Sequence, residues 1–273
     1  QLGFEDANVI ESIRKLTHIK ENDDIIEIPK VTVNDKVSCG YAFTIMIING
    51  KTYSFGAGEN GRLGNDSTEN VYIPTKINCD KMIKIVCGST HAVGISEDFK
   101  LFACGDFKYT GHNLDEDVLT LKEIDFNGIL FEDVSIGTGG YHTIALTKSG
   151  EVYTWGHNRV GQLGFKSEKD GTENFFIHKN PKLVENIPPI IKISAGWGHS
   201  MLLTLDKNVL VCGRMQESQL GNIITTNGVE FYVNDRNHKY NPYFNKLNID
   251  FKVNDIKSGG NHNAIFSENG ELY

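Results

Sequence analysis

A glycine-rich motif set among β-forming residues returns five times along this chain, roughly every 50 residues, and nothing else in the sequence restricts the fold as strongly. The clearest copy runs Gly140-Tyr141-His142-Thr143, through Ser149-Gly150-Glu151-Val152-Tyr153-Thr154-Trp155-Gly156, to Gly161-Gln162-Leu163-Gly164. Its relatives begin near Gly40, Gly88, Gly198 and Gly260. A repeat of this length and composition points to radial or stacked β-architecture. Such folds usually present binding surfaces, and catalytic sites are the less common outcome.

Alignment on the residue that is usually histidine matches Ala42, His91, His142, His199 and His262. At a constant distance after it stand Gly56, Gly105, Gly156 and Gly213, and further on Gly64, Asn113, Gly164 and Gly221. Fixed internal spacing with spacers of changing length is the mark of one structural unit copied, its insertions confined to loops. The units fall near 37–65, 85–113, 134–165, 193–222 and 256–273, with residues 1–4 as the tail of another repeat and residues 1–273 as one domain.

Each unit reads as strands joined by tight turns. Ile144-Ala145-Leu146-Thr147 and Glu151-Val152-Tyr153-Thr154-Trp155 flank Ser149-Gly150 as a hairpin, and Asn49-Gly50 and Asn269-Gly270 hold the same place in their copies. A preceding run adds a third strand: Lys84-Ile85-Val86, Asp133-Val134-Ser135-Ile136 or Lys192-Ile193-Ser194. No convincing amphipathic helix is found, and Glu11 to Leu16 is the one stretch that could form a short one.

The pattern G-x-x-H-[ST]-x-x-L…G-x-[VL]-[YF]-x-W-G-x-N-x-x-G-Q-L-G resembles the repeat of the regulator of chromosome condensation family, with the copy from Ile136 to Gly164 matching almost position for position. The resemblance implies an all-β propeller of four-stranded antiparallel blades, about five represented here and seven in the full domain. The second copy departs most, with Cys104 for the tryptophan, His112 for the leucine and Asn113 for the glycine; Ala42 and Cys212 are further departures. Gln1-Leu2-Gly3 and Glu271-Leu272-Tyr273 both fall inside repeats, which suggests a piece of a larger propeller.

A net charge of −8 disfavours an extended nucleic-acid face, which needs excess lysine and arginine. No apolar run reaches the ~18 residues of a membrane span. The five cysteines show no C-x-x-C pair and read as buried reduced thiols of an intracellular protein, cytoplasmic or nuclear. Gly56-Ala57-Gly58-Glu59-Asn60-Gly61 has the form G-x-G-x-x-G, but another turn follows instead of a helix, so the glycines punctuate the repeat. His91, His142, His199 and His262 lie too far apart in sequence for a local metal motif and read as hydrogen-bonded structural residues. No catalytic, metal or cofactor residue is assigned. The plant ultraviolet photoreceptor resembles this family but relies on a dense tryptophan cluster, and this chain has only Trp155 and Trp197.

Function is therefore sought in the spacers. Asp115, Glu116 and Asp117 form an acidic stretch suited to a basic partner. The longest spacer, 222–255, carries Phe231, Tyr232, Arg236, Tyr240, Tyr243 and Phe244, the residue types of interface hot spots. The competing reading is an extra strand pair packed on the blade, with Phe231 and Phe244 in its core. Residues 166–180 form a similar, more polar insertion. The expected function is a scaffold that binds one or more proteins through inter-blade loops. The resemblance implies the alternative of nucleotide exchange on a Ran-like small GTPase; chromatin binding is disfavoured by the charge.

Overall fold

The computed structural model describes residues 16–137, 139–168, 175–225 and 228–273. The expected tail at residues 1–4 and nearly all of the 11–16 stretch lie outside them. Among the described residues the only helical turn is a single 3-10 turn, Glu59–Gly61, and no helix is long and apolar enough to cross a membrane. The chain divides into two compact units: one holds residues 1–110 and 114–128, the other 111–113 and 129–273.

The first unit contains two sheets whose repeat strands run antiparallel. Lys36–Cys39, Phe43–Ile48, Lys51–Gly56 and Val71–Lys76 follow one another across the first, and Met82–Cys87, His91–Ser96, Leu101–Gly105 and Val118–Glu123 across the second. The second unit repeats this order in Phe131–Ile136, His142–Thr147, Val152–His157 and Ile177–Leu183, then in Ile190–Ala195, His199–Thr204, Val209–Arg214 and Lys239–Leu247. Val253–Ser258 and Asn263–Ser267 form a fifth, two-stranded sheet.

Sequence explains which strand goes where. The second strands, such as Phe43–Ile48 and His199–Thr204, are buried along their whole length because both sheet faces are covered. First strands such as Phe131–Ile136 alternate buried and open positions, as one covered face requires. The turn at Asn49-Gly50 has positive φ at both residues (50° and 74°), which is the two-residue hairpin geometry that Asn-Gly favours.

The fourth strand that the resemblance implies is present in the first four repeats, placed inside what the sequence reads as spacer. Three of the four carry a proline, Pro74, Pro181 or Pro242, which an outer strand tolerates because its open side needs no N–H. Each slips register against the third strand, and in three sheets the slip falls beside Gly56, Gly156 or Gly213.

The structure corrects the alignment of the first copy. Phe43 pairs with Gly56 just as His91 pairs with Gly105, His142 with Gly156 and His199 with Gly213. Gly40 N donates to Phe43 O as Gly88 N does to His91 O and Gly196 N to His199 O. Phe43, not Ala42, therefore occupies the histidine position, because the Asn49-Gly50 turn makes the first hairpin one residue shorter.

One addition has no counterpart in the repeat. His18–Glu21 lies parallel to the outer strand Val71–Lys76 (Lys20 opposite Thr75) and antiparallel to Asp24–Glu27. Ile19 is fully buried against Met46, Ile48, Tyr53 and Phe55, and Glu21 accepts hydrogen bonds from Tyr53 and Lys51. Those bonds hold the Glu21 carboxyl below its usual range and, with burial, raise the Tyr53 phenol.

Candidate interaction site

The repeated histidines hold sheets together. His142 Nε2 lies 3.0 Å from Ser200 Oγ, which donates to Gln162 O at 2.6 Å. His199 Nε2 lies 2.8 Å from Asn263 Oδ1, and Asn263 Nδ2 donates to Gln219 O at 2.7 Å. In both, a histidine reaches the residue after the next copy's histidine, which binds the carbonyl of the Gln-Leu-Gly segment. His91 is also fully buried, and desolvation pushes its imidazole down to about 3. His262 is exposed, unlike the others, and packs its ring against Gly259.

The glycines are placed for the same framework. At Gly156 (φ 98°) a Cβ would stand 2.4 Å from Tyr141 O, and Gly56, Gly105 and Gly213 repeat this approach. Gly64, Gly164 and Gly221 keep positive φ, and Asn113 substitutes in the second copy by adopting φ 54° itself.

The two elaborated spacers of the second unit face each other across a cleft of about 790 Å³. Lys166, Ser167, Glu168, Phe175 and Phe176 line one wall; Tyr232, Val233, Asn234, Asp235 and Tyr240 line the other, with Asn158, Arg159 and Gly161 between. Tyr232–Val233 and the start of Lys239–Leu247 form a small hairpin that carries the second wall. Asn158 fixes the base, donating to Phe165 O at 2.8 Å and Ser167 Oγ at 2.9 Å while accepting from Leu163 N.

Cations and rings alternate here. The Arg159 guanidinium sits 4.0 Å from the Phe176 ring and pairs with Asp235 at 3.0 Å. Lys166 Nζ lies 4.9 Å from the Tyr232 ring, and Lys239 Nζ 4.5 Å from Phe231. Tyr232 also meets Tyr240 and, edge-on, Tyr243. Burial, then Arg159 and Arg236, hold His157, packed on Phe176, down at about 4 and therefore neutral near pH 7. Burial raises the Tyr240 phenol.

Of the partner residues expected from sequence, Tyr232 and Tyr240 line the cleft and Tyr243 supports Tyr232 from behind. Phe231 is half-exposed and Arg236 is exposed on the adjoining turn, outside the lining. Phe244 is a correction: it is buried in the core with Leu210, Cys212 and Ile144, its ring 2.4 Å from where a Gly164 Cβ would be. Asp115 and Glu116 are exposed in the first unit, and Asp117 there is tied down by Asn60 Nδ2 and Phe107 N. Sequence reading missed Arg159, Phe175, Phe176 and Asp235. Arg159 was hidden at a variable position within the repeat, and the others are legible only once the spacers face one another.

Comparison with known proteins agrees with this architecture. Regulator of chromosome condensation (RCC1) repeat descriptions match residues 49–95 and 149–203, and a second description of the repeat matches 134–162 and 190–219. The E3 ubiquitin-protein ligase HERC2 of Mus musculus is 29% identical over 248 residues, 86% of this chain but 5% of that protein. The ultraviolet-B receptor UVR8 of Arabidopsis thaliana is 27% identical over 245 residues, 87% of this chain and 52% of the receptor. Among solved structures, Prp20p of Saccharomyces cerevisiae superimposes with a TM-score of 0.69 at 23% identity, covering 92% of this chain and 61% of that one. The chain thus spans at most about half the length of these curated relatives. The fold is an all-β propeller type with four-stranded antiparallel blades. The chain belongs to the regulator of chromosome condensation repeat family.

Proposed function

We propose that this chain is a protein-interaction scaffold and that the cleft lined by residues 166–168 and 175–176 on one side and by 232–235 and Tyr240 on the other is where a partner protein docks. The carrying observation is that two separate insertions on neighbouring repeats converge on one cleft walled by Phe175, Phe176, Tyr232 and Tyr240, with Arg159 between them. Aromatic rings and arginine in a concave, partly desolvated setting are the residues that dominate binding energy at protein interfaces. The two compact units are proposed to be parts of one propeller domain over residues 1–273. Five free thiols, three of them buried, support an intracellular setting, cytoplasmic or nuclear. In this reading the scaffold itself carries out no covalent chemistry.

Photo-crosslinking tests the reading: a benzoylphenylalanine replacing Tyr240 in the natural protein should capture a specific chain by mass spectrometry, and the same probe at exposed Asp24 should not. Loss of the captured chain on Tyr232→Ser, with the melting curve unchanged, is the expected second result. Capture that Tyr232→Ser leaves intact would place the partner elsewhere. The alternative, exchange on a Ran-like GTPase, predicts faster release of fluorescent nucleotide when the protein is added; no acceleration is expected here.

A further inference from the structure

We propose that the cleft receives an acidic peptide segment of its partner, whose carboxylate takes the place of Asp235 on Arg159. This rests on the cleft being the partner site, as proposed above. The charged lining is balanced, Arg159 and Lys166 against Glu168 and Asp235, so taking Asp235 off Arg159 leaves cations in excess within a chain that carries −8 overall. Arg159 and Lys166 line it, each held over an aromatic ring, and Arg236 stands on the adjoining turn.

The Arg159–Asp235 pair has the character of a placeholder. Asp235 is 64% exposed on a surface turn closed by Asn237 N to Asn234 O, whereas Arg159 is only 18% exposed. Both contacts to Asp235 come from a single nitrogen, Nη1, at 3.2 and 3.0 Å. The two-nitrogen fork that makes arginine a strong carboxylate receptor is not formed with Asp235, and an incoming carboxylate can form it. An ion pair this exposed is weak and is readily exchanged. Phe175, Tyr232 and Tyr240 offer apolar surface beside it, so the fitting segment pairs Asp or Glu with a bulky apolar residue. A basic segment offers Arg159 no carboxylate in exchange for Asp235.

Fluorescence anisotropy on the full chain tests this with three fluorescein-labelled peptides: Asp/Glu alternating with Leu/Phe, the same peptide with Asn/Gln for the acids, and the same with Lys/Arg. The acidic peptide should bind at least about tenfold more tightly than the Asn/Gln peptide, and Arg159→Gln should remove most of that difference. The decisive variant is Asp235→Asn, exposed and safe to fold, which should strengthen acidic-peptide binding about fivefold by removing the internal competitor. Glu168→Gln changes the cleft charge equally without touching Arg159, so its gain should be much smaller. Equal gains from the two variants would overturn the displacement of Asp235. Preference for the Lys/Arg peptide, lost on Tyr232→Ser, would overturn the acidic class while leaving the cleft as the site. Acidic binding indifferent to both Arg159→Gln and Tyr232→Ser would overturn the cleft itself, and no binding by any peptide would overturn the proposal.

Discussion

The junction between the first two sheets and the junction between the third and fourth solve the same packing problem with opposite chemistry. In the second unit His142 binds Ser200, which binds the Gln162 carbonyl. In the first unit the equivalent positions hold Phe43 and Ala92, packed in an apolar cluster with Leu63 and Cys104. Histidine and hydroxyl are absent together. The difference teaches that each junction is complete in one chemistry, polar in the second unit and apolar in the first. A buried polar group stripped of its partner costs its desolvation, whereas replacing both partners by apolar groups is close to neutral. The Arg62 carbonyl, equivalent to that of Gln162 but with no hydroxyl at Ala92 to bind it, has a weak donor in Cys104 Sγ at 3.6 Å; Cys212 Sγ lies 3.6 Å from Gln162 O as a second donor beside Ser200.

The largest effect should come from what both junctions share. Gly56→Val and Gly156→Val should each destabilise by about 4 kcal/mol in chemical denaturation, because a branched side chain is forced to positive φ and onto a carbonyl oxygen. A large loss in one unit and a trivial one in the other would break the equivalence of the repeats.

Phe43→His comes next, at about 3 kcal/mol, since it buries an imidazole opposite a methyl group. Adding Ala92→Ser should recover part of that loss, and a double-mutant cycle showing zero coupling would refute the pairing of the two positions.

Acid should report on the buried imidazoles that lie outside these two junctions. The folded-state imidazole of His91 titrates near 3 against an ordinary 6.5, so the unfolded chain binds more protons between those values. The contribution is complete above about pH 6.5 and falls as the pH drops towards 3; His199, also lowered by burial, adds in the same sense. Denaturation at pH 5 should therefore show about 2 kcal/mol less stability from His91 than at pH 7, and His91→Gln should flatten that slope.

Ser200→Ala, which strips His142 of its hydroxyl, should cost about 1–2 kcal/mol. Tyr240→Ala, on the cleft wall, should shift stability by less than about 0.5 kcal/mol while weakening partner capture. A clear drop in melting temperature would assign Tyr240 to packing.

Much of the framework was legible in the chain. The glycine spacing with the Asn49-Gly50 and Ser149-Gly150 turns located the second and third strands of the first and third repeats, and the runs at 84–86, 133–136 and 192–194 located first strands. Two things were not. The first copy was registered on Ala42 because spacing was taken as constant, while its two-residue turn shortens the hairpin by one. The outer strands escaped because proline and register slips break the alternation that announces a strand.

What the sequence determined by itself was the repeating unit, since turn geometry and strand burial are local demands that particular residues meet: glycine or asparagine where φ is positive, apolar runs where both faces are covered. Only the tertiary structure decided which side chains meet between units. Phe244 and Tyr243 are neighbours in one aromatic stretch, yet one is buried against Gly164 and the other supports the cleft wall, because adjacent strand residues point to opposite faces. Arg159, Phe176 and Asp235 come from three distant positions, and nothing in their local sequence marks them as companions. Their meeting is a long-range consequence of stacking one sheet on the next, and so the site is legible only in the fold.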